Sequence, residues 1–205
     1  MAQISYLNQN QYTRGIRNNN PLNLIYSGIN WQGKIPYAEN RDYSGNPNNI
    51  TRHFEQFQSM EYGIRAAAMD LLNDYYVDGK HTVAELISER APAFENDTQV
   101  VINAVSAAAG VAPNVPFTMT FDILFNILKS SIRIEVGPSE AALVPDQSIV
   151  DAIYLIPGAI LQKLGEYVAT TVSQNKGSFG VLFGFSFLAA LVYAAKKYHS
   201  NRVRA

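Results

Sequence analysis

Nineteen consecutive residues, Gly177 to Ala195 ("GSFGVLFGFSFLAALVYAA"), carry no charge, and nothing else in the chain restricts its fold as strongly. At about 1.5 Å of rise per residue, a helix of that length nearly spans a bilayer core of about 30 Å. A core helix of a globular protein rarely stays apolar on every face over such a length, and here Phe, Leu, Val and Tyr run all the way round. A transmembrane helix is expected over 177–195. The tail that follows, 196–205, holds Lys196, Lys197, Arg202 and Arg204 and no acid, and would stay cytoplasmic. Gly180 and Gly184 stand at GxxxG spacing, which would let two such helices associate closely. Only 16% of the 205 residues are charged, against about 25% in ordinary soluble domains, and this segment accounts for part of that deficit.

Several function classes fall away on composition. A net charge of −1 supplies no basic field for nucleic acid. The absence of cysteine removes disulfides and thiolate chemistry and leaves the redox compartment open. His53, His81 and His199 lack metal-ligand spacing, so neither metal nor cofactor is expected. "MAQISYLNQN" has no basic start followed by an apolar run, unlike a secretory signal. Phosphate-loop, GxSxG and HExxH signatures are missing, which leaves carboxylates as candidate catalysts.

The fold class expected is mainly α with minor β: a small helical domain over 1–137, a linker and amphipathic helix over 138–176, then the span and the tail. Residues 1 to 50 hold 11 of the chain's 18 asparagines and no long period, which reads as loops around short strands. Ser59 would cap a helix with Ile64, Ala67, Ala68, Leu71, Leu72 and Tyr75 on one face. Thr82 with Glu85, and Asn96 with Gln99, form capping boxes for two further helices, the second running to Gly110. A fourth helix starts near Thr118 to Thr120, uses Phe121, Leu124, Phe125, Leu128 and Ile132, and stops at Gly137-Pro138. "VGPSEAALVPD" (136–146) reads as a linker. Beyond it Ile149, Ile153, Ile156, Ile160 and Leu164 continue a helical period with a kink at Pro157, either packed on the domain or lying along a membrane.

Two segments attract chemistry. Glu135 closes the fourth helix, where unpaired carbonyls and the neighbours Ile132, Ile134 and Val136 would disfavour an ionised carboxylate, as suits a general acid. The plain alternative is an ordinary helix-end residue paired with Arg133 or Arg65. "RGIRNNNPLNL" (14–24) is rich in amides that match sugar hydroxyls and N-acetyl groups, and Trp31, Tyr26, Tyr37 and Tyr43 follow it as possible stacking surfaces. The alternative is that these asparagines make Asx-turns and serve the backbone. Arg14 and Arg17 would tie this loop to the acidic helices.

The blocks "RGIRNNNPLNL", "WQG" (31–33), "FEQFQSMEYGIRA" (54–66), "ISERAPAFENDTQVVINAV" (87–105) and "IRIEVG" (132–137) together resemble a family of phage virion and prophage proteins. That family has a lysozyme-like helical domain related to peptidoglycan lytic transglycosylases. The resemblance covers about residues 13 to 137. It implies a catalytic acid at Glu135, matching the glutamate of an Arg-His-Glu-Asn-Gly helix end, with Ile134 and Val136 replacing the polar flanks. It also implies a glycan cleft to which Asn20, Asn23, Tyr26, Trp31 and Arg17 contribute, although Leu22 stands where many relatives have glycine.

The span lies outside the resemblance. Such a domain on a membrane anchor is similar in layout to the wall-opening enzymes of phages with an internal membrane. The implied partners are peptidoglycan, a lipid bilayer and other virion proteins. A hydrolase would need a second carboxylate, for which Glu39, Asp42 and Glu55 are available; a lytic transglycosylase would not. The rival expectation is a non-catalytic structural virion protein on the same scaffold.

Overall fold

The computed structural model describes residues 3–42, 54–90 and 97–164. The expected span, its Gly180 and Gly184, the basic tail, Tyr43, His53 and Asn96 lie outside them. Among the described residues the fold is mainly helical, and no helix there is long and apolar enough to cross a membrane. The helices are α1 (Arg14–Arg17), α2 (Met60–Tyr76), α3 (Val83–Ser88), α4 (Thr98–Ala109), α5 (Phe121–Val136), α6 (Pro138–Ala141), α7 (Asp146–Tyr154) and α8 (Gly158–Leu161).

α2 is the centre. Fourteen of its 17 residues are buried, so it is enclosed on every side by α3, α5 and α7. Ala66, Ala67 and Ala68 let those neighbours approach closely. Gly63 goes further: a Cβ there would lie 1.8 Å from the Asn19 carbonyl oxygen, so the asparagine loop rests directly on the helix backbone.

The helix starts follow their local chemistry. Thr82 and Glu85 make the reciprocal capping box, and Thr120 accepts from the Ile123 N–H. At α4 the cap is Asp97, which accepts from Val100, one residue beyond the expected Asn96. Ser59 occupies the N-cap position of α2 without a side-chain bond, and its hydroxyl is buried.

Two expectations need correction. Among the described residues the polar N-terminal region has no strand, only isolated antiparallel bridges, Ile25 with Phe54 and Lys34 with Phe57. The amides of Asn19 and Asn20 supply backbone pairing that a sheet ladder would otherwise give. The segment expected as a linker, 136–146, holds α6, and of the two placements open to the period beyond it the structure has the one packed on the domain. α6 packs on α5, and α7 packs on α2 and α5 with Ile149, Ala152 and Ile153 buried. Pro157 breaks the helix rather than bending it, and Ile156, Ile160, Leu161 and Leu164 still turn inward. At about 1.5–3 kcal/mol for each fully buried aliphatic side chain, this segment is an integral part of the core.

Candidate functional site

The asparagine loop and the end of α5 meet. α1 approaches that helix end because residue 15 is glycine: a Cβ there would sit 2.8 Å from Val136 Cγ1. The chain then turns through Asn18–Asn23, with Asn19 and Asn23 both at φ 50°, a conformation that asparagine tolerates better than most residues. The Asn23 N–H closes this turn on the Asn20 carbonyl at 2.9 Å.

Three of the four amides are spent within the scaffold. Asn18 Oδ1 accepts from Gln56 Nε2, while its Nδ2 is buried without a partner. Asn19 accepts from the Tyr6 N–H and donates to Ser5 Oγ and the Phe57 carbonyl. Asn20, 1% exposed, accepts from the Leu24 N–H and donates to the carbonyls of Leu24 and Glu55. Asn23 behaves differently. Its Nδ2 donates at 2.9 Å to Glu135 Oε2, 112 residues away, while its Oδ1 is buried without a partner.

Glu135 lies on the exposed side of α5, with Ile132 and Val136 turned into the core and Ile134 39% exposed beside it. The enclosure expected from its apolar neighbours is therefore not found, because two of the three face away from it. A second clamp lies just beyond. Gly137, at φ 80°, turns the chain into α6, where the Glu140 carboxylate accepts from the Thr13 backbone N–H at 3.0 Å and from its hydroxyl. The loop is thus held at both ends against the sequence "EVGPSE".

Arg65 donates to the Leu155 carbonyl, not to Glu135. Nor do Arg14 and Arg17 form ion pairs with the helices among the described residues. The Arg14 guanidinium lies 4.4 Å from the centre of the Phe54 ring, and Arg17 donates to the Tyr12 carbonyl. Trp31 is half-buried against the core.

Tyr26 belongs to a second polar cluster, with its ring 4.1 Å from Lys34 Nζ and paired edge-to-face with Tyr37. Lys34 pairs with the fully buried Glu55 at 2.9 Å, and Ser27 donates to the same Oε1 from both its N–H and its hydroxyl. Burial pushes the Glu55 carboxyl above its ordinary range, and the Lys34 and Ser27 contacts only partly oppose this. Lys34, Ser27, Thr13 and Glu140 carried no sequence signal, because their partners lie in other turns of the chain.

Of the three carboxylates considered as a second catalytic group, two are already engaged. Asp42 accepts from the Phe54 N–H, and Glu55 is bound as described. Glu39 is exposed on a short 3-10 turn. Among the described residues, no three or more His, Cys, Asp or Glu side chains come together as a metal site would need.

No family model matches the chain. Protein P5 of Pseudoalteromonas phage PM2 is similar to it, 34% identical over 109 residues. The match covers 51% of this chain and 61% of that protein. The chain therefore has a distant homologue in a bacteriophage.

Proposed function

We propose that this chain is a virion-associated, membrane-anchored peptidoglycan glycosidase, acting as a lytic transglycosylase or muramidase that opens the host wall during phage entry. The observation that carries the reading is the bond between Asn23 and Glu135, which joins the asparagine loop to the one helix-end carboxylate singled out by its position. The phage homologue supports the viral setting.

In the transglycosylase version, Glu135 gives its proton to the glycosidic oxygen between N-acetylmuramic acid and N-acetylglucosamine as the C1–O bond breaks. The muramic 6-hydroxyl oxygen then bonds to C1, and its proton passes back to Glu135 with no water consumed. The engagement of Asp42 and Glu55 favours this version over a two-carboxylate hydrolase. Asn20 shapes the cleft wall from within, while Tyr26, Trp31 and Arg17 are the candidates for contact with the glycan. The uncharged segment 177–195 supplies the anchor, in a viral or host membrane.

The test is clearance of a peptidoglycan suspension by the full chain beside Glu135→Gln, with folding checked by circular dichroism. Clearance by the wild type and none by the folded variant is expected. Equal clearance by both removes Glu135 from the mechanism. A second reading, a structural virion protein that binds glycan without cutting it, is favoured by the exposed Ile134 beside Glu135. Under that reading the wild type would bind peptidoglycan and leave it intact.

A further inference from the structure

We propose that Asn23 is a positioning residue for Glu135, and that its amide biases the transferable proton toward Oε1. The catalytic consequence rests on the glycosidase reading; the assignment of the proton does not.

The loop asparagines use their amides in different ways. An asparagine retained only for its turn bonds the backbone through its side chain, as Asn20 does at Leu24. Asn18 bonds the Gln56 side chain and leaves its Nδ2 buried without a partner, so what sets Asn23 apart is a carboxylate as its partner. Asn23 leaves Oδ1 buried and unpartnered and directs Nδ2 to the side chain of another element. A buried unmet acceptor is unfavourable, so the turn alone gives no reason for this orientation. The left-handed backbone at Asn23 aims the amide, and the Asn20–Asn23 turn and the contact of Gly15 with Val136 fix its distance from α5.

An amide N–H can only donate. When Glu135 is ionised, Oε2 accepts this bond as a carboxylate oxygen. When Glu135 is protonated, Oε2 accepts this bond better as the carbonyl oxygen than as the hydroxyl oxygen, which favours the proton on Oε1. Asn23 therefore holds the carboxyl in one rotational setting through both halves of a reaction in which Glu135 first gives and then takes back a proton. Holding a reacting group in its productive geometry is the ordinary route by which such a contact raises the rate.

Several charged groups on the elements packed against this helix have partners of their own. Arg14 lies over Phe54, Arg17 bonds Tyr12, Glu140 bonds Thr13, Asp146 pairs with Lys129, and Glu61 bonds Ile4 and Ser148. On α5 itself, Arg133 is exposed.

The test compares the full chain with Asn23→Asp and Asn23→Gly. Aspartate keeps the shape and tolerates the backbone, but places a second carboxyl against Glu135. Glycine removes the amide without backbone strain at φ 50°. The Glu135 side-chain carboxyl carbon is titrated by NMR in each. In Asn23→Asp the midpoint is expected to rise by about one pH unit or more, as for two carboxyls sharing a site. In Asn23→Gly, kcat on peptidoglycan is expected to fall about tenfold or more while KM changes little, the pattern of a lost transition-state contact. In Asn23→Asp the alkaline limb of the rate profile should move with the titration midpoint. An unmoved midpoint in a folded Asn23→Asp protein overturns the assignment. A moved midpoint in a chain that cuts no peptidoglycan keeps the assignment and rejects the glycosidase reading instead.

Discussion

Arg65, buried within α2, donates from Nε to the carbonyl of Leu155 at 2.9 Å, 90 residues further along the chain. Leu155 caps α7, so the cation meets the negative end of that helix. Burial lowers the pKa of this guanidinium. Together with the Ser148 hydroxyl donating to the buried Glu61, the contact locks α7 into the core from both ends.

Ending the chain at residue 137 or 140 is therefore expected to abolish cooperative unfolding, because Ile149, Ala152 and Ile153 leave the core. Within the full chain, Ile153→Ala should destabilise by about 2–5 kcal/mol. Thermal melts followed by circular dichroism distinguish the two cases. A sharp, wild-type melt for 1–137 would show that α7 is dispensable.

Gly63→Ala is expected to destabilise by about 1–3 kcal/mol, although alanine favours the helix by nearly 1 kcal/mol. The added methyl would collide with the Asn19 carbonyl, and the loop must lift. Chemical denaturation gives the stability. A peptidoglycan assay of the same variant should show activity falling along with it, since lifting the loop moves Asn23 from Glu135.

Glu55 gives a pH dependence with a definite sign. Its folded pKa lies above the ordinary 4.5. The folded chain therefore binds this proton more readily than the unfolded chain. That contribution to stability is fully present below about pH 4.5 and is lost as the pH rises through the folded value, with a slope of at most about 1.4 kcal/mol per pH unit. Denaturation midpoints of the wild type minus those of Glu55→Gln isolate the effect. A difference that stays flat from mild acid to neutrality would mean that the Lys34 and Ser27 contacts fully offset the burial.

What the sequence disclosed depended on how local the cause was. Thr82, Glu85 and Thr120 cap helices through bonds spanning three residues, and their patterns were legible. Asp97 replaces the expected Asn96 because adjacent residues can each cap a helix, and periodicity does not resolve a single position. The helical period from Ile149 to Leu164 was visible, but a period says nothing about which surface will cover it. Asn18, Asn19 and Asn20 read equally well as ligands or as turn residues. Only their partners, up to 38 residues away at Phe57, show that they serve the scaffold. The position of Glu135 at a helix end was legible. Its exposure was not, because the inward turn of Ile132 and Val136 depends on where the N-terminal loop packs.

Mass spectrometry of the fragments that the full chain releases from purified peptidoglycan, beside those of Glu135→Gln, decides whether Glu135 cleaves the glycan. Muropeptides ending in 1,6-anhydromuramic acid are expected from the wild type and none from the variant. A folded wild-type chain that binds the wall and releases no fragments would contradict the glycosidase reading.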